Sequence, residues 1–584
     1  MGNPKDVHLS CQDVYLSCQV FDKMHNLKFL LFKKNYNYTC TSIKLHLPNG
    51  LNYLPERLRI LQWPEYPLRV LPSKFDPEKL VKLDLSDSNI EQLWEGTKHT
   101  PKLKWLFLRD CRRLTKISNL SCVVSLEEVH LEGYVLETVE FLKSLWLFGT
   151  AIKELPSSIE HLNGLQELGL SNCKNLEMLP SSICNLSSLE DLYLSNCSKL
   201  NKLPDNLGNL KYLKYLRVAG SAVGQLPSSI TRLENLKGLY SSECKGLTIL
   251  PSLSGLCSLT ELYVNKCNLM EIPEDIGCLS SLERLEMCSN KFESLPKSIK
   301  QLSKLEFLSL RECNMLRSIT ELPVALIRLE AINCKQLCQA LPDASEFKLC
   351  IRSKRYEYVN FLFTNSFNLD HKAVSNVFEE SLKGSEEPTA KFTIFLPGSE
   401  IPNCFSYQSS GSLVNIPVLR QALVNRKFMG FAICAVLGFQ EQEFHHYHGG
   451  ISVGVYCHFE TCDDQIGFPR YDQYNVGPVF IDSDHILLGY CSFSKFYKSS
   501  QNIKRVLAIA DVSDYVDISL EFKAYSPSYK VKCCAVYPIY AEPMEIIGAT
   551  IEDIGETSRK RSGRSDDNEE QVESHPKRIC TQPN

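Results

Sequence analysis

Leu155-Pro156-Ser157-Ser158-Ile159 opens a stretch of sequence that begins again at Leu179-Pro180-Ser181-Ser182-Ile183. Between the two lie Leu165, Leu168, Leu170, Cys173 and Leu176. A Leu-Pro pair (Ile-Pro once) recurs with its proline at Pro156, Pro180, Pro204, Pro227, Pro251, Pro273 and Pro296, in steps of 24, 24, 23, 24, 22 and 23 residues. Leu168 and Leu170 alternate as in a short strand, so both point to one face. Cys173 follows where the chain turns inward; its equivalents are Cys111, Cys197, Cys244, Cys267, Cys313 and Cys334, with Asn290 and Ser88 as variants. The Leu-Pro step ends the return path, because proline lacks the N–H that a ladder needs. The Ser-Ser-Ile after it predicts a short helical turn capped by a serine hydroxyl.

One such unit cannot bury its own leucines. Each buried leucine contributes roughly 1.5–3 kcal/mol, and only a stacked neighbour can cover it. A period in the twenties with L-x-x-L-x-L-x-x-C inside it is the signature of a leucine-rich repeat solenoid. Stability then resides in the stack, whose ends need caps. The expected fold class is an α/β solenoid, a leucine-rich repeat horseshoe followed by an antiparallel β-sandwich.

Working outward, residues 1–60 form an irregular entry segment and 61–345 the repeats. Clear units sit at Leu80/Leu83/Leu85 and Leu103/Leu106/Leu108, and shorter ones at Val129/Leu131 and Leu145/Leu147. Regular units run from Leu165 and end at Leu341-Pro342. Residues 346–390 read as a post-repeat linker with a helix near Ala373–Lys383. From Phe392 onward come short β-rich runs: Phe392–Leu396, Phe428–Leu437, Ile451–Phe459, Ile486–Tyr490, Val516–Phe522 and Val531–Tyr537. That spacing predicts the sandwich over 391–545. Residues 546–584 are polar and charged, and disorder is expected there.

With 584 residues, 43% of them hydrophobic, the chain can hold two to four domains. A net charge of −4 argues against nucleic acid and membrane surfaces as partners. No apolar run reaches the length of a membrane span, the N-terminus lacks a signal-peptide core, and Asp6 breaks the myristoylation pattern. Seven of the 25 cysteines fill one inward repeat position, which predicts reduced thiols in an intracellular, cytoplasmic chain. The sequons at Asn37, Asn119, Asn185 and Asn196 read as chance matches in a Ser/Asn-rich repeat. Arg559-Lys560-Arg561, Arg564 and Lys577-Arg578 read equally as a nuclear-import signal and as a solvated tail.

These residues resemble a known family. Val20–Leu30, Tyr53–Trp63, Tyr66–Pro72, Leu80–Leu85 and Ile90–Trp94 are similar to the start of the repeats in plant Toll/interleukin-receptor-type nucleotide-binding immune receptors (TIR-NBS-LRR disease resistance proteins). Phe363–Asp370 resembles the family's post-repeat motif. Leu396-Pro397-Gly398-Ser399-Glu400-Ile401-Pro402-Asn403-Cys404-Phe405 resembles the opening of its C-terminal jelly-roll/Ig-like domain (C-JID), continued by Lys427–Leu437, Ser483–Tyr490 and Val531–Ala541. The family's signalling and nucleotide-binding domains would precede residue 20, and no G-x-x-x-x-G-K-[ST] occurs in this sequence. The resemblance therefore implies the sensing half of such a receptor, with no catalysis of its own: the NADase activity of full-length relatives belongs to the Toll-type domain. It implies as partners a pathogen effector or a guarded host protein, and a full-length immune receptor as a further one. An extracellular repeat inhibitor of a pathogen enzyme is the alternative.

Residues between the core leucines should face the concave side. There the sequence places Trp105, Phe107, Arg109, Trp146, Phe148, Tyr193, Tyr215, Arg217, Tyr240, Tyr263, Arg284, Glu286 and Arg311. Trp, Tyr and Arg dominate protein–protein hot spots, so this column is the candidate protein-binding face; packing of the rings on one another or on the post-repeat domain is the competing reading. No catalytic, cofactor or metal site is expected. Cys457-His458 with Cys462-Asp463-Asp464, and His445-His446-Tyr447-His448, lack zinc-site spacing, and Asp484-His485 is no triad signal.

Overall fold

The computed structural model describes residues 13–32, 44–96, 98–114, 142–319, 321–351, 358–382, 391–425, 427–439, 451–459, 466–467, 472–477, 481, 483–493, 515–525 and 528–541. The Val129/Leu131 unit, Asn37, Asn119, the 445–448 and 462–464 clusters and the tail beyond 541 lie outside these residues.

Three-residue strands stack in parallel from Phe29–Leu31 and Ile60–Gln62 up to Phe307–Ser309 and Arg328–Glu330. The register sets leucine on leucine at each step: Leu61 on Leu83, Leu83 on Leu106, Leu145 on Leu168, Leu216 on Leu239, Leu285 on Leu308. Each of these leucines is fully buried, and each lies in one cluster that runs the length of the stack. Trp105–Phe107 pairs directly with Ser144–Trp146.

Two devices recur along the stack. The cysteine thiol after the strand donates to a carbonyl of the preceding coil, at 3.0–3.3 Å, for Cys111, Cys173, Cys197, Cys244, Cys267, Cys313 and Cys334. Burial pushes the Cys197, Cys267 and Cys313 thiols up to about 12, which keeps them protonated donors. The residue just before the ladder position has φ between 52° and 70° in thirteen coils: Glu65, Asp87, Asp110, Gly149, Asn172, Asn196, Gly220, Glu243, Lys266, Ser289, Glu312, Asn333 and Asn365. Asn, Asp and Gly tolerate that left-handed turn best. These two columns extend the ladder to Thr150, Ser221 and Ser366, which the cysteine pattern alone did not mark.

The serine caps are a correction. The return turns Ser157–His161, Ser181–Asn185 and Ser228–Arg232 are 3₁₀ helices whose N-cap is the proline, and no side-chain cap bond is made. Proline at φ near −65° already supplies the entry geometry. One of these serines bonds between coils: Ser229 Oγ accepts the Gly208 N–H at 3.1 Å.

The sheet does not stop at residue 345. Tyr358–Leu362 adds a rung on Arg328–Glu330, with Phe361 on Leu329, and Lys391–Pro397 adds another, with Ile394 on Phe361. Ser366 takes the ladder place and donates to Ala331 O at 2.8 Å. The stretch read as a linker thus carries a further coil, together with helices Ala344–Ile351 and His371–Leu382. From Lys391–Pro397 the same sheet turns antiparallel through His485–Ser492, Phe428–Phe439, Tyr529–Tyr540 and Tyr407–Ser409. A second antiparallel sheet consists of Leu413–Leu419, Tyr515–Ala524, Ile451–Phe459 and the short strands Ile466–Gly467 and Asp472–Gly477. Its Val414, Ile416, Val453, Ile518 and Leu520 share a buried cluster with Leu362, Phe395, Ile433 and Leu487 of the first. All six β runs expected from Phe392 onward correspond to strands. Leu413–Leu419, Tyr407–Ser409 and Asp472–Gly477 were not anticipated.

Candidate protein-binding face

The thirteen candidate residues fall on one side of the long sheet, alternating with the buried leucines. Trp105, Tyr215 and Arg284 take the first position of their strands. Phe107, Trp146, Tyr193, Arg217, Tyr240, Tyr263 and Glu286 take the third. Arg109, Phe148 and Arg311 lie two residues beyond. Trp105, Arg109 and Arg284 are exposed and the other ten are half-buried.

The structure divides this row into two sectors. In the first, rings touch rings. Trp146 lies 5.9 Å from Phe107, 4.9 Å from Phe148 and 5.8 Å from Tyr193, centroid to centroid. The Arg217 guanidinium sits 4.8–4.9 Å from the Tyr193, Tyr215 and Tyr240 rings and pairs with Asp191 at 3.2 Å. Tyr240 meets Tyr263 edge-on at 5.0 Å and its hydroxyl donates to Glu261; burial first, and then that carboxylate, raise the phenol above its ordinary range. Such aromatic and cation–π contacts contribute about 0.5–1.5 kcal/mol apiece.

Two glycines make the ring packing feasible. A Cβ on Gly169 would stand 2.3 Å from Phe148 Cε1, and one on Gly238 2.6 Å from Tyr240 Cε2. The rings therefore lie down on the sheet over the glycine positions of these rungs, which is why they are half-buried. At the first end, Lys82, Asp84, Phe107, Arg109, Asp110 and Trp146 line an open groove of about 690 Å³.

The second sector is ionic and centred on a buried carboxylate. Glu330 is 4% exposed and accepts from Arg311 Nε and Arg328 Nε, both at 2.7 Å, and from Ser309 Oγ at 3.2 Å. Burial alone would raise its carboxyl; the two guanidiniums outweigh that and hold it below the usual range. Arg284 donates to Tyr263 Oη at 3.1 Å and lies 4.5 Å from the Phe307 ring. Opposite Glu330 in register come Leu362 and then Phe395, both part of the two-sheet core. The second sheet therefore covers the same face two rungs on, and this sector borders it. Arg284, Glu286 and Arg311 belong here, whereas the other ten candidates form the aromatic sector with its edge at Trp105. Asp191 and Glu261 were missed, because a charged residue at the first position of a strand reads as solvent-facing until its partner from the neighbouring side chains is known.

Comparison with known proteins supplies the context. The family model described as the C-JID domain matches residues 396–545, and leucine-rich repeat models match 79–98, 164–186 and 188–210. Disease resistance protein RPS4B of Arabidopsis thaliana is 29% identical over 92% of this chain and 46% of its own length. Disease resistance protein RPP2A of the same plant is 39% identical over 29% of this chain and 16% of its own. By these matches the chain is similar to the leucine-rich repeat and C-JID portions of plant disease resistance proteins. It spans about half the length of the full relatives it matches most extensively. Among solved structures, an internalin from Listeria monocytogenes is similar at 19% identity, over 55% of this chain and 81% of that one, with a TM-score of 0.33. Among the described residues no helix is long and apolar enough to cross a membrane, and no cluster of three metal-ligating side chains occurs.

Proposed function

We propose that the chain is the recognition portion of a plant immune receptor: a non-catalytic module whose aromatic sector, Trp105 to Tyr263, binds a pathogen effector or a guarded host protein in the cytoplasm or nucleus. The observation that carries this reading is the pre-packed row of half-exposed rings and one guanidinium on the open face of the sheet. Interface cores draw on Trp, Tyr and Arg held in place beforehand, because little side-chain entropy is then lost on binding. The similarity to disease resistance proteins supports this class of partner. The two-sheet unit, read as a jelly-roll/Ig-like sandwich, closes one end of the face and adds a wall to the site. The ionic sector serves this junction rather than the partner. A full-length receptor is a further partner in this reading.

The test is affinity capture from challenged and unchallenged plant tissue, followed by binding measurements on the captured protein. Trp105→Ala together with Phe107→Ala should weaken binding at least tenfold with the melting temperature nearly unchanged. Unaltered affinity in that variant would remove the aromatic sector from the site.

A further inference from the structure

A second surface lies away from the strand face, on the flank where the chain runs from the ladder position to the Leu-Pro step. Met270 and Met315, 58% and 37% exposed, stand on either side of an open groove of about 890 Å³ whose floor is Asn290–Lys297. Its floor is rigid: Lys291 N donates to Leu269 O and Arg317 N to Glu293 O, both at 2.9 Å, and Asn290 is bonded to three carbonyls and to the Leu269 N–H. Glu271 and Glu274 form the rim beside Met270 and have no ion-pair partner among the described residues. Lys291, Glu293 and Lys297 lie on the floor and Glu312 on the Met315 side; Glu293 pairs with Arg317 at 3.4 Å and Glu312 accepts from Ser289 Oγ at 2.8 Å, which leaves the two carboxylates of the Met270 wall for an incoming cation. Two exposed methionines across a cleft form an adaptable apolar clamp, and unpaired carboxylates beside one of them favour an apolar side chain next to cations.

The sequence contains such a segment. Lys577-Arg578-Ile579 lies in the stretch beyond Ala541, where the described residues end. We propose that this groove is the seat of the chain's own C-terminal segment, with Ile579 between Met270 and Met315 and the cations of Lys577 and Arg578 against Glu271 and Glu274. The reach is sufficient. Seven strand pairings separate Arg284–Glu286 from Tyr529–Tyr540, or about 34 Å at ~4.8 Å per strand. The 35 residues from 542 to 576 can span up to ~115 Å when extended. A tail seated there straps the two-sheet unit to the flank of the solenoid and withholds its second basic cluster from other partners. This proposal is independent of what the strand face binds.

Zero-length carbodiimide cross-linking of the full chain tests it, since Lys577 Nζ would then lie within ion-pair distance of a carboxylate. The expected result is a Lys577–Glu271 or Lys577–Glu274 link with the same yield over a hundredfold dilution, lost in Ile579→Asp and reduced at least fivefold in Met270→Asp. Neither substitution touches the buried core. Absence of the link overturns the proposal, as does a link indifferent to Ile579→Asp. A yield that falls with dilution assigns the groove to a second copy and overturns it equally.

Discussion

Glu330→Ala tests how the junction between the repeats and the two-sheet unit is held. The carboxylate is 5% exposed and takes one guanidinium nitrogen on each oxygen, Arg311 Nε and Arg328 Nε at 2.7 Å. Breaking a fully buried pair costs about 3–5 kcal/mol, whereas an exposed pair contributes about 0–1 kcal/mol. Both arginine side chains are about a third exposed, 34% and 32%, so they would turn to water when the carboxylate is gone. The expected loss is therefore intermediate, about 2 kcal/mol, with Glu330→Gln near half of that because one acceptor remains. The pH dependence has a definite sign. Glu330 has its folded value below the ordinary 4.5, so its contribution is complete above that value and is lost as pH falls through the folded value. Urea unfolding followed by circular dichroism should show the full gap between parent and Glu330→Ala at pH 7, narrowing below pH 4.5. A gap under ~0.5 kcal/mol at pH 7, or one that does not change on acidification, would refute the reasoning.

Other substitutions probe the coils themselves. Leu194, fully buried, becomes an unpaired buried charge as Leu194→Asp, and far-UV circular dichroism at 25 °C should show several coils unfolded; a melt matching the parent contradicts the stack. Asn290→Ala removes four hydrogen bonds and should cost about 2–3 kcal/mol in denaturant unfolding, while Asn290→Cys, the residue most coils use, should cost less than about 1 kcal/mol. Gly169→Ala pushes the Phe148 ring off the sheet and should shift Trp146 fluorescence at a cost of about 1 kcal/mol; an unchanged spectrum argues against the flat ring packing.

Much of the solenoid was legible because one residue spacing carried several physical requirements at once. Leu168 and Leu170 gave the face, Cys173 the ladder, and Pro156 and Pro180 the return. The left-handed residue before each ladder position was also present in the sequence, as Asn172, Asn196 and Gly220, but the columns align only once the cysteine register is known. Ser366 escaped because Phe361 and Phe363 replace the leucines of its coil, so the last rungs read as linker. The serine caps failed because the proline itself is the N-cap residue, so the serines lie inside the turn. The row of candidate side chains was legible from the two-residue period of a strand. Its division was not: ring packing over Gly169 and Gly238, and the bond of Glu330 to Arg311, depend on which side chains the next coils bring alongside.

The account rests most on the aromatic sector as a surface for another protein. The direct measurement is the dissociation constant of the captured partner for the parent and for Phe107→Ala with Trp146→Ala, each checked to melt cooperatively. A hot spot contributes at least ~2 kcal/mol, which is about 30-fold. Weakening of that order is the predicted result; equal dissociation constants would contradict the account.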